Sequence, residues 1–310
     1  AARKNDANLI VANARRVKLV RQAESFLQYR PGSEAHLAGA LAKVIVDKGL
    51  ADNDFLDRCV ANRDELDAYL NSFDLDDACA VTGSARKHLE AAAEYLGAAT
   101  SVAIVFGRDV MGSAQAEASI ATIANLALIT GALHGDLGGL FPVAAKGNTQ
   151  GLIDAGAAAE FLPGLQDYTT SQETFAKAWH CTLPTGGADA VGILEGIEQG
   201  QIKALYLAGA NPLVGFPENN RWRKALDKLD ILVAQDILAN DLTKLATVVL
   251  PGAATAEKRG SVTAIDQRVN KLRIAVDAPG EARPDLAIIF YQQLHAGRKK
   301  KDPFHNWVYR

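Results

Sequence analysis

Short apolar runs alternate with longer stretches of helical spacing along this chain, most clearly in its second half. Residues 204–208 and 231–234 are brief apolar runs, stopped by Gly209-Ala210-Asn211-Pro212 and by Gln235-Asp236 respectively. Such runs, bounded by turn formers, predict buried strands. A helix predicted over 188–199 precedes the first run, a second beginning near Glu218 or Asn219 separates the two, and a further strand ends near Leu250. This alternation of helix and strand predicts a parallel sheet flanked by helices. Beyond it, residues 261–275 read as extended segments and 285–294 as a closing helix.

The first half follows the same logic with shorter strands. Residues 9–12 and 25–29 are strand-like, the latter ended by Pro31-Gly32. Over 34–48 the apolar residues Leu37, Leu41, Val44 and Ile45 fall at helical spacing, with Ser33 as N-cap and Gly49 as the stop. Polar helical segments follow over 54–60, 63–71 and 85–96, then a strand over 101–106 whose exit is Gly107-Arg108-Asp109, and an alanine-rich helix over 114–130. Glycines recur through 131–156 without supporting either period, which predicts an ordered, irregular loop, either functional or a linker between lobes. The expected division is a first α/β lobe over 1–160, ending in this glycine-rich loop, and a second over 161–310.

Composition narrows the class. With 310 residues, 48% hydrophobic and 22% charged, a soluble globular chain of two domains is expected. A net charge of -3 gives no broad attraction to nucleic acid or to an anionic membrane. No apolar run approaches the about 20 residues that span a bilayer. Cys59, Cys79 and Cys181 are scattered, without the close spacing of zinc or iron-sulfur sites, and fit free or buried thiols in a reducing, cytoplasmic compartment. The polar start at Ala1 leads into the first strand as if cut from a longer protein, and the basic run at 298–301 with its aromatic tail reads as a solvated end.

In open α/β sheets ligands sit at the carboxyl ends of strands, which makes the Gly209–Pro212 turn a candidate rim. Gly209 supplies backbone freedom, Pro212 stops the ladder, and Asn211 is presented where the next helix would aim its positive end. An ordinary strand-ending turn has the same composition. His134 and His180 lie in or near loop-rich segments, where a lone histidine is commonly structural, and Asp76-Asp77 fit simple helix capping. No Walker loop, nucleophile elbow or Gly-x-Gly-x-x-Gly series is present.

Taken in order, several segments resemble the molybdopterin oxidoreductase family. They are Asn148-Thr149-Gln150-Gly151 with Asp154-Ala155-Gly156, Gly209-Ala210-Asn211-Pro212, Val233-Ala234-Gln235-Asp236, and Val248-Val249-Leu250-Pro251. The first strand with its basic turn, Arg30-Pro31-Gly32-Ser33, and Glu257-Lys258-Arg259-Gly260 look similar too, so the likeness covers almost the whole chain. The resemblance implies two Rossmann-like lobes with mostly parallel sheets flanked by helices. In the family's enzymes such lobes clasp a bis-pterin guanine dinucleotide carrying molybdenum or tungsten. By position it implies cofactor-binding roles for Asn13, Arg15, Gly107, Asn148, Gln150, Gly151, Gly209, Asn211, Pro212 and Asp236.

Two kinds of family member look most alike: the large iron-sulfur subunit of respiratory complex I (NADH-quinone oxidoreductase), which generally keeps the fold as a scaffold without pterin, and the formate dehydrogenase catalytic subunit. Departures favour the scaffold. Asn13-Ala14-Arg15-Arg16 replaces the acidic residue and proline usual before the arginines, and within 264–268 only Arg268 survives of the family's series. No cysteine matches the metal ligand. The reading is therefore a mainly structural portion of the complex I subunit, with the formate dehydrogenase subunit as alternative. No cofactor is expected in this stretch itself; the resemblance allows molybdopterin guanine dinucleotide in the full-length protein, and iron-sulfur clusters are expected upstream under either reading. The expected partners are other subunits of a respiratory or formate-oxidising electron-transfer complex, which would hold the chain peripheral to a membrane.

Overall fold

A computed structural model describes residues 7–134, 137–184 and 187–296; the readings for the first six residues and for the basic tail lie outside these. The chain forms two units, Ala1–Lys146 and Gly147–Arg310. The sequence boundary at 160 lies within the second unit, because the Asn148–Gly151 turn is bonded to a later hairpin of that unit, as described below.

In the first unit, β1 (Ile10–Ala12) pairs in parallel with β2 (Ser25–Leu27), Val11 opposite Phe26. The core helix α1 (Glu34–Asp47) buries Leu37, Leu41, Val44 and Ile45, the residues its spacing singled out. Each such side chain contributes roughly 1.5–3 kcal/mol on full burial. Gly49 ends the helix at φ 66°, as expected. Ser33 stands at the N-cap position without capping: its hydroxyl donates to the Arg30 carbonyl at 2.5 Å, tightening the turn instead.

Around α1 lie α2 (Asn53–Cys59), α3 (Arg63–Ser72), α4 (Leu75–Thr82) and α5 (Arg86–Gly97). Then come β3 (Ala103–Phe106), the short α6 (Arg108–Met111) and α7 (Ala116–Ile129). The stretch after α7 is not the irregular loop expected. It contains β4 (Gly139–Pro142), parallel to β3 with Ile104 opposite Leu140. A glycine makes this possible: a Cβ on Gly138 would lie 2.4 Å from the Ala132 carbonyl oxygen and 2.8 Å from that of Val102.

The second unit opens with α8 (Thr149–Asp154), also inside the supposed loop. The antiparallel pair β5 (Phe161–Leu162) and β6 (Gln166–Asp167), then α9 (Tyr168–Trp179) and α10 (Ala190–Glu198), lead into the main sheet. That sheet is β7 (Ala204–Ala208), β8 (Ile231–Asp236) and β9 (Val248–Pro251), three parallel strands with β8 central. Between β7 and β8 lie the short α11 (Pro212–Gly215) and α12 (Asn219–Leu226); α13 (Asp241–Leu245) joins β8 to β9.

Leu194 and Ile197 of α10, Trp222 and Leu226 of α12, Leu232 of β8 and Leu242 of α13 form one core. A bidentate pair adds to it: Arg221 of α12 donates to both carboxylate oxygens of Glu198 at the end of α10, at 2.8 and 2.7 Å. The antiparallel hairpin β10 (Gly260–Thr263) and β11 (Val269–Leu272) precedes the closing helix α14 (Asp285–Ala296). The result is a mixed α/β architecture of small, mostly parallel sheets flanked by helices.

Candidate cofactor-binding rims

The carboxyl edge of β7–β8–β9 carries Gly209, Asn211, Pro212 and Asp236, four of the ten residues singled out from the sequence. β8 runs two residues further than its apolar run, so Gln235 and Asp236 belong to the strand. Gly209 leaves β7 at φ 62°, its N–H donating to the Gln235 carbonyl at 2.8 Å. No heavy atom lies within 4 Å of where a Cβ would stand, so the space above it is open. Asn211 acts locally. Its side-chain oxygen accepts from the Leu213 N–H at 3.0 Å and caps α11, with buried Pro212 at the first helical turn. The helix expected to aim at this rim, α12, comes only after α11, because Asn-Pro starts a helical turn at once.

Asp236 is half-buried at the exit of β8. One carboxylate oxygen accepts from the Ile237 N–H at 2.7 Å and the other from the Asn240 amide at 2.8 Å. A carboxylate has about four lone-pair sites, so acceptor capacity remains. Asn240 is itself fixed, capping α13 in a reciprocal box with Thr243.

Elsewhere in the second unit, Asn148 sits at φ 65° and its side-chain oxygen accepts from the Thr263 N–H at 2.9 Å, tying α8 to β10. Gly151 makes room for that bond: a Cβ there would lie 2.2 Å from the same oxygen. Gln150 donates to Asp154 at 2.7 Å along α8. These bonds join Asn148 and Gly151 to the hairpin, not to Gly209 or Asp236.

In the first unit, Asn13 extends the β1–β2 pairing by donating to the Leu27 carbonyl at 3.0 Å. Its side-chain oxygen accepts from the Arg15 N–H at 2.9 Å, closing its own turn. Arg15 is exposed, whereas the Arg16 guanidinium lies 5.7 Å over the Phe26 ring. Arg30 donates to the Ala80 and Val81 carbonyls and so closes the end of α4. Gly107, at the exit of β3, has an ordinary extended backbone and open space where a Cβ would be. Beside these exits the Tyr29 hydroxyl is pushed above its usual value, by burial first and then by Glu34 and Asp109.

The histidines take structural places. His134 stacks on Phe55 at 5.6 Å with Nδ1 3.6 Å from Asp52, and His180 ends α9 in the left-handed region. Among the described residues no group of three or more His, Cys, Asp or Glu is placed to hold a metal, and burial pushes the Cys79 thiol up. A cavity of about 290 Å³ in the first unit, lined by Val60, Glu65, Tyr69, Asn125 and Leu128 among others, contains none of the rim residues. Sequence reasoning missed the polar chain beneath the rim. Tyr206 donates to Gln235, Gln235 donates to Asp285 at 2.6 Å, and Lys258 donates to Asp285. Its one sequence signal is a glutamine continuing an apolar strand.

Parallel sheets whose carboxyl edges carry these turns agree with the family match. Residues 1–291 fit the molybdopterin oxidoreductase family, and the chain belongs to it. Among its relatives, the NADPH-Fe(3+) oxidoreductase subunit alpha of Geobacter sulfurreducens is 45% identical over 290 residues, 93% of this chain and 34% of that protein. The F420-dependent formate dehydrogenase 1 subunit alpha of Methanococcus maripaludis is 31% identical, covering 93% of this chain and 43% of that protein. The assimilatory nitrate reductase catalytic subunit of Bacillus subtilis is also 31% identical, covering 93% and 41%. The chain thus spans less than half of each, and none of the three is a complex I subunit. Among solved structures, acetylene hydratase from Pelobacter acetylenicus superposes with a TM-score of 0.76 at 20% identity, covering 96% of this chain and 44% of that one, and shares the fold.

Proposed function

We propose that this chain is part of the molybdopterin guanine dinucleotide-binding catalytic subunit of a multi-subunit oxidoreductase of the formate dehydrogenase kind. The observation that carries this reading is the β7–β8 exit, where a glycine with open space above it stands beside a carboxylate with acceptor capacity left. Those residues fit the nucleotide end of the cofactor: Asp236 would accept from ribose hydroxyls, and Gly209 would let the ligand approach the main chain. Asn148 and Gly151 would act indirectly, by holding α8 against the hairpin. When bound, the pterin and its metal supply two-electron transfer; this chain contributes binding and orientation, and no cysteine here offers a metal ligand.

Relatives described as alpha or catalytic subunits support partner subunits that carry electrons onward, with iron-sulfur clusters elsewhere in the longer protein. Among the described residues no helix is long and apolar enough to cross a membrane. One observation favours the pterin-free, complex I type scaffold as a second reading. Asn13 stands where the family has an acid, and its oxygen is spent on its own turn.

Asp236→Asn in the full-length protein tests the first reading. Loss of charge-assisted bonds worth about 1.5–3 kcal/mol lowers affinity about ten- to a hundredfold. Guanine nucleotide copurifying with the variant should therefore fall well below wild type, and an unchanged content would exclude this rim as the holder.

A further inference from the structure

The polar chain beneath the rim converges on Asp285. The Lys258 ammonium and the Gln235 amide both donate to Asp285, and the Gln235 oxygen accepts from the Tyr206 hydroxyl. Gln235 is 1% exposed, so its amide has no water to fall back on, and its neighbours decide its orientation. The same stretch of backbone is held from both sides. Gly209 N–H donates to the Gln235 carbonyl at 2.8 Å and Gly252 N–H to the Asp236 carbonyl at 2.9 Å. A Cβ on Gly252 would stand 3.5 Å from the Asp285 carboxylate and 3.6 Å from the Asp236 carbonyl oxygen, so the start of α14 lies directly against the β8 exit.

We infer that Lys258, acting through Asp285 and Gln235, is a positioning residue for Asp236, and hence for the nucleotide hydroxyls that Asp236 is proposed to accept. The nucleotide half of this inference rests on the proposed function; the coupling half does not. With Lys258 neutralised, nothing holds the partly exposed Asp285 carboxylate inward, and it turns toward water and away from the Gln235 amide. The Gln235 side chain then loses its fixed orientation, and the Gln235–Asp236 backbone opens more often. The Lys258 side chain is three-quarters buried while that of Asp285 is 44% exposed, so the lysine is what holds the carboxylate inward.

Full-length wild type, Lys258→Met, Lys258→Arg, Tyr206→Phe and Asp236→Asn are compared. The readouts are amide hydrogen exchange over 235–240, the thermal midpoint, and guanine nucleotide released by acid. In Lys258→Met, exchange over 235–240 should be about tenfold faster and nucleotide content several-fold lower at a near wild-type midpoint, with Lys258→Arg restoring both. Tyr206→Phe, which leaves the ion pair intact, should accelerate the same peptide to a smaller degree. Unaltered exchange in both Lys258→Met and Tyr206→Phe overturns the inference, as does acceleration spread evenly over the second unit with a matching fall in midpoint. Local acceleration in Lys258→Met beside unchanged nucleotide in Asp236→Asn upholds the coupling and overturns the nucleotide reading.

Discussion

The Asn148 side-chain oxygen accepts from the Thr263 N–H at 2.9 Å across 115 residues of sequence, and Gly151 leaves the space through which that bond passes. Gly151→Ala should expel the Asn148 amide and cost about 1–3 kcal/mol, the usual penalty for stranding a partly buried donor. In an Asn148→Ala background the same change should cost much less, because the two residues share one contact. A double-mutant cycle by chemical denaturation measures this, and additive penalties would show that the glycine serves something else.

Two glycines at strand boundaries of the first unit should respond oppositely. Gly138→Ala drives a Cβ into two backbone carbonyls, neither of which can swing aside, so β4 should lose its pairing with β3 and the unit much of its stability. Gly107→Ala meets open space at an ordinary backbone angle and should be within about 0.5 kcal/mol of wild type. Thermal melts of the two variants measure both, and a large loss in Gly107→Ala would contradict the open space there.

At Gly209 the backbone requires φ 62° although the space is free. Gly209→Ala should therefore cost about 1–2 kcal/mol from the left-handed conformation alone, and Gly209→Asn less, since Asn tolerates that region. Equal costs for Ala and Asn would mean that something other than backbone strain decides this position.

The Glu198–Arg221 pair gives a pH signature. Hydrogen bonds from Arg221, opposed by partial burial, hold the Glu198 carboxyl below its usual 4.5. With the folded value depressed, the pair's contribution is full above 4.5 and fades as pH falls through the lower folded value. Arg221→Met should therefore be less stable than wild type at neutral pH, and the gap should close on acidification. Urea titrations across that range check the sign, and a gap that widens with acid would contradict it.

Much of the second unit was legible because its strands and helices are signalled locally. The apolar runs before Gly209 and Gln235 and the helical spacing of 188–199 each fit one period, and the three strands are parallel as that alternation requires. Leu37, Leu41, Val44 and Ile45 likewise gave α1 and its buried face. What escaped was set by distant partners. β4 and α8 are too short for either period to register, and β4 depends on Gly138 passing between two carbonyls. Gln235 reads as a strand stop until Asp285, fifty positions on, is seen to satisfy its amide. That Asn211 caps α11 was not legible either, because capping and ligand binding call for the same residue type after a strand.

The most direct measurement is the metal and nucleotide content of the native, full-length protein purified without air. A catalytic subunit of this family should carry molybdenum or tungsten in stoichiometric amount and release guanine nucleotide on acid treatment. Folded native protein holding neither would contradict that claim and leave the pterin-free scaffold as the function of this fold.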